Sequence, residues 1–395
     1  MILNIQESKN IENKQKDNKN NVNEIYQKNN EKQNIINEND IENKIESDCI
    51  INTEDNNLKK FNEIFGTYIE NANTIEELNI SNLENGNDNI KYLDLVEFKQ
   101  LKNLEIYHSS IKDICILQKI KLNQLQQLNL TYNNIFDISI LEKVNFPNLL
   151  ILNLNNNNIY NISIFEKVNF NQLQKLNLNN NKISDISVLE KVNFNQLEEL
   201  NLSYNQISDI SVLEKVKFNN LKNLNLYHNQ ISDISVLEKV KFNNLKNLNL
   251  YWNQISDINV LEKVKFNKLE ELNLNNNQIS DISILEKVKF NNLKNLYLHG
   301  IKISDISILE KVKFNQLQKL DLNYNQISDI SVLEKVNFTL IKSLYLNNNQ
   351  ISNINILEKV NFKNLEELDL CNNNIDIDKY SSIIDKLSLI KSFKI

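Results

Sequence analysis

Apolar residues return at fixed places along most of this chain, and the polar residues between them return as well. From Leu101 the period is 24 residues. Twelve units follow without a change of register, opening at Leu101, Leu125, Leu149, Leu173, Leu197, Leu221, Leu245, Leu269, Leu293, Leu317, Ile341 and Leu365. In the unit LEELNLSYNQISDISVLEKVKFNN, residues 197–220, positions 1, 4 and 6 are Leu197, Leu200 and Leu202 with polar residues between. That alternation predicts a short strand with one buried face. Position 9 is Asn205, and Asn recurs there at Asn229 and Asn253, where the chain must turn away from the strand. A buried amide at that point can donate to and accept from loop backbone that is costly to bury unpaired.

Ile207 then returns the chain to the interior. Ile210, Leu213, Val216 and Phe218 predict a short helix and its exit facing the same core, and Ser211-x-x-Glu214 reads as a capping box. Each full side-chain burial contributes ~1.5–3 kcal/mol before entropy is subtracted, so eight apolar residues per unit can fill a continuous core. A period of this length predicts an α/β solenoid whose units bury their apolar faces only against their neighbours.

The flanks are different. Residues 1–57 are Asn/Lys/Glu-rich with too little apolar surface to offset ordering entropy, which predicts a disordered tail. Over 58–100 the chain reads as an N-terminal cap. Leu58, Phe61, Phe65, Tyr68 and Ile69 fall at helical spacing, and Ile75-x-x-Leu78-x-Ile80 and Ile90-x-x-Leu93-x-Leu95 look like strands of irregular repeats. The twelve repeats take in 101–388, with a helical face late in the last one at Tyr380, Ile383, Ile384 and Leu387. Residues 389–395, with Ile390, Phe393 and Ile395, form the strand of a partial thirteenth unit, whose open edge could serve self-association.

The tandem motif LxxLxLxxNxIxDI resembles the leucine-rich-repeat superfamily, and the resemblance spans residues 90–395. The NxISDI turn is most similar to that of the regulatory leucine-rich-repeat subunit of protein phosphatase 1 and of bacterial internalins. The resemblance implies a right-handed horseshoe with a parallel sheet on its concave side and short helices on its convex side. It also implies a non-enzymatic scaffold that holds a protein partner on the concave face.

Composition narrows the function classes. The 395-residue chain carries net charge −7 and no arginine, which argues against nucleic acid and anionic lipid as general partners. No stretch approaches the ~20 apolar residues of a bilayer helix. The N-terminus MILNIQESKN lacks the basic and apolar regions of a secretory signal, and Cys49, Cys115 and Cys371 show no paired spacing. Together these point to a reduced, cytoplasmic (or nuclear) setting. Gly66, Gly86 and Gly300 are the only glycines, so no phosphate-binding loop exists. His108, His228 and His299 lie in separate units. With ~4.8 Å per strand, His108 and His228 stand on the order of 24 Å apart, which assembles neither a catalytic triad nor a histidine metal site. No cofactor is expected.

Position 13 carries a ladder of Asp113, Asp137, Asp185, Asp209, Asp233, Asp257, Asp281, Asp305 and Asp329, interrupted by Asn161 and Asn353. One carboxylate per unit is too few for calcium, and local turn bonding accounts for it better. Glu and Lys recur at positions 18 and 19. A further lysine stripe, Lys217, Lys241, Lys265, Lys289 and Lys313, reads as a solvated convex face, with an acidic ligand or nucleic acid as the alternative use.

Positions 7 and 8 vary most between units. They carry Tyr204, Tyr227, His228, Tyr251, Trp252, His299 and Tyr324, to which Tyr297 adds a further ring. These eight residues should cluster across six neighbouring strands as the partner-binding surface, because Tyr and Trp anchor interfaces at small entropic cost. The unit from Leu293 departs from the pattern, with Gly300 and Ile301 in place of the turn residue and ladder Asn.

Overall fold

The computed structural model describes residues 53–360 and 362–395. The tail expected over 1–57 lies outside the described residues except for 53–57, which belong to a helix over 53–65. Phe61 and Phe65 of that helix are buried, as the cap required. Tyr68 is not part of the apolar face: the helix stops at Phe65, Gly66 takes φ +63°, and Tyr68 stands 99% exposed.

Among the described residues, fourteen parallel strands form one sheet in strict chain order. The first is Glu77–Ser81, the second Asn103–Tyr107, and each later repeat adds a three-residue strand such as Glu199–Asn201, Asn223–Asn225 and Asn247–Asn249. The register is in phase with the repeat: Leu200 faces Leu224, Leu224 faces Leu248 and Leu248 faces Leu272. These leucines are buried, as are Ile210, Leu213, Val216 and Phe218, so the core is a set of parallel rows of like residues.

The second strand-like signature of the cap is corrected. Residues Ile90–Leu95 form a 3-10 helix, and the first strand pairs directly with the second at an offset of 26 residues, Glu77 to Asn103. The short helix Gly86–Asn89 just before it presses against the next unit. A Cβ on Gly86 would stand 1.7 Å from the Ser109 carbonyl oxygen.

In the repeats from Leu101 to Ile341 the convex elements are single 3-10 turns of four residues, such as Ser211–Glu214, rather than α-helices. Nor does Ser211 form a capping box with Glu214: Ser211 is already the first helical residue, and the residue before it, Ile210, has no capping side chain. The start is fixed two residues earlier, where Asp209 Oδ1 accepts the Ser211 N–H at 2.7 Å. Asn161 and Asn353 accept the N–H of Ser163 and Asn355 in the same way, which is why neutral Asn can interrupt the ladder. The aspartates are therefore turn residues.

The Asn row works as the sequence suggests, and reaches across units. Asn229 Nδ2 donates to the carbonyls of Leu226 in its own unit and Leu202 in the preceding one, and its Oδ1 accepts the Ile207 N–H. One side chain thereby satisfies buried backbone on both sides of a repeat boundary. At the C-terminal end the expected helix, Ser381–Leu387, and strand, Ser392–Lys394, are both present.

Candidate functional site

Position 8 decides what the surface beside the strands can display. In the regular units this residue takes a left-handed backbone as the chain leaves the strand. Asn156, Asn180, Asn276, Asn348 and Asn372 occupy it at φ of 49–55°, and Gly300 at 65°. Asn and Gly are the residues that tolerate this region, while a bulky side chain there is a genuine outlier. Tyr132, Tyr204, Trp252 and Tyr324 nevertheless hold the same conformation at φ 50–54°, and His108 and His228 at 50° and 55°. The strain is of order 1 kcal/mol at each such residue.

The rings so placed touch across repeats. Tyr204 stacks on His228 at 4.6 Å between centroids, and its hydroxyl lies 2.7 Å from that of Tyr227. Tyr227 lies flat on Tyr251 at 4.5 Å, and Trp252 packs beside both His228 and Tyr251. These five residues form one surface over three neighbouring repeats, with Trp252 50% and Tyr204 40% exposed. Burial, with the Tyr204 hydroxyl second, pushes the Tyr227 phenol well above its ordinary value, so it stays a neutral hydrogen-bonding group.

The expected cluster of eight is not continuous. The repeat from Leu269 carries Asn275 and Asn276 at positions 7 and 8, and the Asn276 amide donates to the Tyr251 hydroxyl, closing the ring surface there. Beyond this gap His299 and Tyr324 form a separate pair at 4.7 Å. Tyr297 sits in the strand Asn295–Tyr297 and packs against the Lys319 ammonium instead of the other rings. The irregular repeat has a local reason for its glycine, since a Cβ on Gly300 would stand 2.2 Å from Asn276 Oδ1. With Ile301 in the ladder place, Asn325 Oδ1 accepts both the Ile301 and the Ile303 N–H.

A second aromatic group was not expected from the sequence. Tyr107 and His108 occupy positions 7 and 8 of the first unit, the same pair as Tyr227 and His228, and His108 stacks on Tyr132 at 4.4 Å. The signal was the dipeptide itself, at the same two positions.

On the convex side, Lys239 pairs with Glu214 and Lys263 with Glu238, both at 3.2 Å, in a series of successive repeats from Lys167–Glu142 to Lys335–Glu310. Lys217, Lys241, Lys265, Lys289 and Lys313 have no ion-pair partner among the described residues. No group of three or more His, Cys, Asp or Glu among the described residues could hold a metal ion. Among the same residues, no helix is long and apolar enough to cross a membrane.

Comparison with known proteins agrees with this geometry. The profile for "Leucine Rich repeats (2 copies)" matches residues 195–239, 243–287 and 291–335, and that for "Leucine Rich Repeat" matches 172–191 and 364–387. The chain belongs to the leucine-rich-repeat superfamily, and its open parallel sheet is the solenoid of that superfamily. Its repeats are of the internalin-like class: an internalin from Listeria monocytogenes is 29% identical, with a TM-score of 0.66 over 86% of this chain and 94% of that one. A leucine-rich-repeat protein of Leptospira interrogans shares the fold at 23% identity and TM-score 0.62, over 78% of this chain and 81% of its own. A plant peptide hormone receptor, solved in complex, shares it at 18% identity and TM-score 0.55, over 77% of this chain and 48% of the receptor. No curated protein matches the sequence. Proteins of this superfamily are generally non-catalytic interaction scaffolds.

Proposed function

We propose that this protein is an interaction scaffold that docks a protein partner on the surface formed by Tyr204, Tyr227, His228, Tyr251 and Trp252. The observation that carries the reading is the presence of Tyr and Trp at a backbone position that favours Asn or Gly. A fold gains nothing in its core from a half-exposed Trp252 at φ +54°. An exposed surface of touching aromatic rings is the usual material of a binding site. The plant receptor complex supports the reading as a precedent for ligand binding on the same fold. An intracellular setting completes it and rests on cysteine usage. Regulation of a phosphatase-1-type enzyme would be one instance of such docking, tested with that catalytic subunit as the probe.

The decisive experiment compares capture from native lysate by the intact chain and by a Tyr251→Ala/Trp252→Ala variant. A partner held only by the intact chain is then titrated against Trp252→Ala, which should weaken affinity by on the order of 2 kcal/mol. Trp252 is the only tryptophan in the chain, so its emission should shift on binding. Equal affinity and unchanged emission at saturation would move docking off this surface. A second reading has its own observation: the five unpaired lysines Lys217 to Lys313 could take an acidic ligand. Steep loss of binding with salt would favour that stripe over the rings.

A further inference from the structure

The inner row of the sheet changes chemistry after the repeat from Leu269. Position 5 is Asn in seven successive units, from Asn129 to Asn273. In six of them, all but Asn153, its Oδ1 accepts the N–H two residues on, as Asn225 does from Tyr227. The next four strands carry Tyr297, Asp321, Tyr345 and Asp369 at this position, each facing the next in register. The aspartates keep the old task with one oxygen: Asp321 Oδ1 accepts the Asn323 N–H, and Asp369 Oδ1 accepts the Cys371 N–H. The tyrosines cannot do so, and Asn275 and Asn323 of the neighbouring units accept the N–H of His299 and Asn347 in their place. The turn is thus preserved by other residues, while the row itself alternates ring and carboxylate.

A cation already lies in this row. Lys319 stands two residues before Asp321 on the same sheet face, and its Nζ lies over two rings, 4.9 Å from the centre of Tyr345 and 5.4 Å from that of Tyr297. It makes no ion pair with Asp321, Glu367 or Asp369. Asp369 Oδ2 accepts the Asn347 amide and Glu367 accepts the Tyr345 hydroxyl, whereas Asp321 Oδ2 has no hydrogen-bond partner among the described residues. Burial holds the Asp321 carboxyl above its ordinary range. Asp321, Glu367 and Asp369 outnumber Lys319 and Lys394, the latter facing Asp369 in register, by one negative charge. The ring slot therefore accepts a cation, and Lys319, though it attracts the adjacent Asp321 carboxylate, makes no ion pair with it.

We propose that this row receives the guanidinium of an arginine side chain from the protein partner, flat against the tyrosines in place of Lys319 and donating to Asp321 Oδ2. Arginine satisfies both halves at once, because its planar group stacks on an aromatic face while its fork pairs with a carboxylate. Lys319 is then an internal competitor that keeps the slot filled when no partner is bound. The inference rests on the reading that the sheet side docks a protein, but its site is separate from the Trp252 surface.

The test titrates the full chain with acetyl-Gly-Gly-Arg-Gly-Gly-amide, following the ring resonances of Tyr297 and Tyr345, each assigned by its Tyr→Phe variant. The same peptide with citrulline in place of arginine keeps the shape and removes the charge. Arginine should shift both rings saturably and citrulline should not. Lys319→Met, which keeps the chain length without the ammonium, should tighten the arginine peptide about tenfold, and Asp321→Asn should weaken it by a similar factor. Trp252→Ala should leave this titration unchanged, so the two sites can fail independently. Equal shifts from citrulline, or unchanged or weaker binding in Lys319→Met, would overturn the proposal.

Discussion

Positions 8 and 9 of each repeat are adjacent in sequence and obey opposite rules. At position 9 the residue is almost always Asn, and its amide is consumed by backbone: Asn229 serves Leu202, Leu226 and Ile207 at once. At position 8 the backbone itself favours Asn or Gly, yet the bulky Tyr204 and Trp252 stand there. The first row has its chemistry used up inside the fold. The second carries chemistry the fold does not use, and carries it against local preference. That contrast, rather than variability alone, separates a scaffold row from a surface available to a partner.

The sharpest way to break the contrast is Asn229→Ala. It should destabilise the protein by ~1–3 kcal/mol in denaturant or thermal unfolding, because buried backbone groups on both sides of a repeat boundary lose their partner. Unfolding equal to that of the unsubstituted chain would mean that solvent reaches these groups.

Next in size is the converse change one row away. Trp252→Asn restores the residue the left-handed turn prefers and should raise stability by about 0.5–1 kcal/mol while removing partner affinity. A loss of stability would show that the ring contacts with His228 and Tyr251 outweigh the backbone strain.

A smaller effect sharpens the role of the aspartate turns. The N–H and hydroxyl of Ser187, Ser235 and Ser307 hold the carboxyls of Asp185, Asp233 and Asp305 below their ordinary value of 3.8. A folded value below the unfolded one stabilises the protein above the unfolded pKa. That contribution is lost as pH falls from about 4 through the depressed folded values. These groups are exposed, so the slope should be shallow. Replacing all three with Asn should flatten stability between pH 4 and 2, and an unchanged slope would place the acid sensitivity elsewhere. The smallest effect expected is that of Lys241→Ala, within about 0.5 kcal/mol of zero, since Lys241 is exposed and has no ion-pair partner among the described residues. A larger change would bring the convex stripe into the fold's own energetics.

The unbroken 24-residue period made the buried rows and the Asn ladder legible in the sequence, because in a solenoid a position in one unit meets the same position in the next. The period alone places Leu200, Leu224 and Leu248 side by side, and it does the same for Tyr227 and Tyr251. The cap, where the offset becomes 26 residues, escaped the same logic: Ile90, Leu93 and Leu95 carry a strand's spacing but form a 3-10 turn, which needs the same apolar contacts in a tighter backbone. Serine and glutamate at capping spacing were likewise ambiguous, and Asp209 took the role because its shorter side chain reaches the Ser211 N–H locally.

By itself, then, the sequence determined which residues lie in the interior and which repeats are neighbours, since period and polarity specify both. Side-chain direction at the surface was left to the tertiary structure. Only there does Asn276 close the ring surface at Tyr251, and only there does Lys319 lie between tyrosines 22 residues before and 26 residues after it. Such contacts depend on which of several partners across a strand pair a long side chain selects, and no repeat pattern encodes that choice.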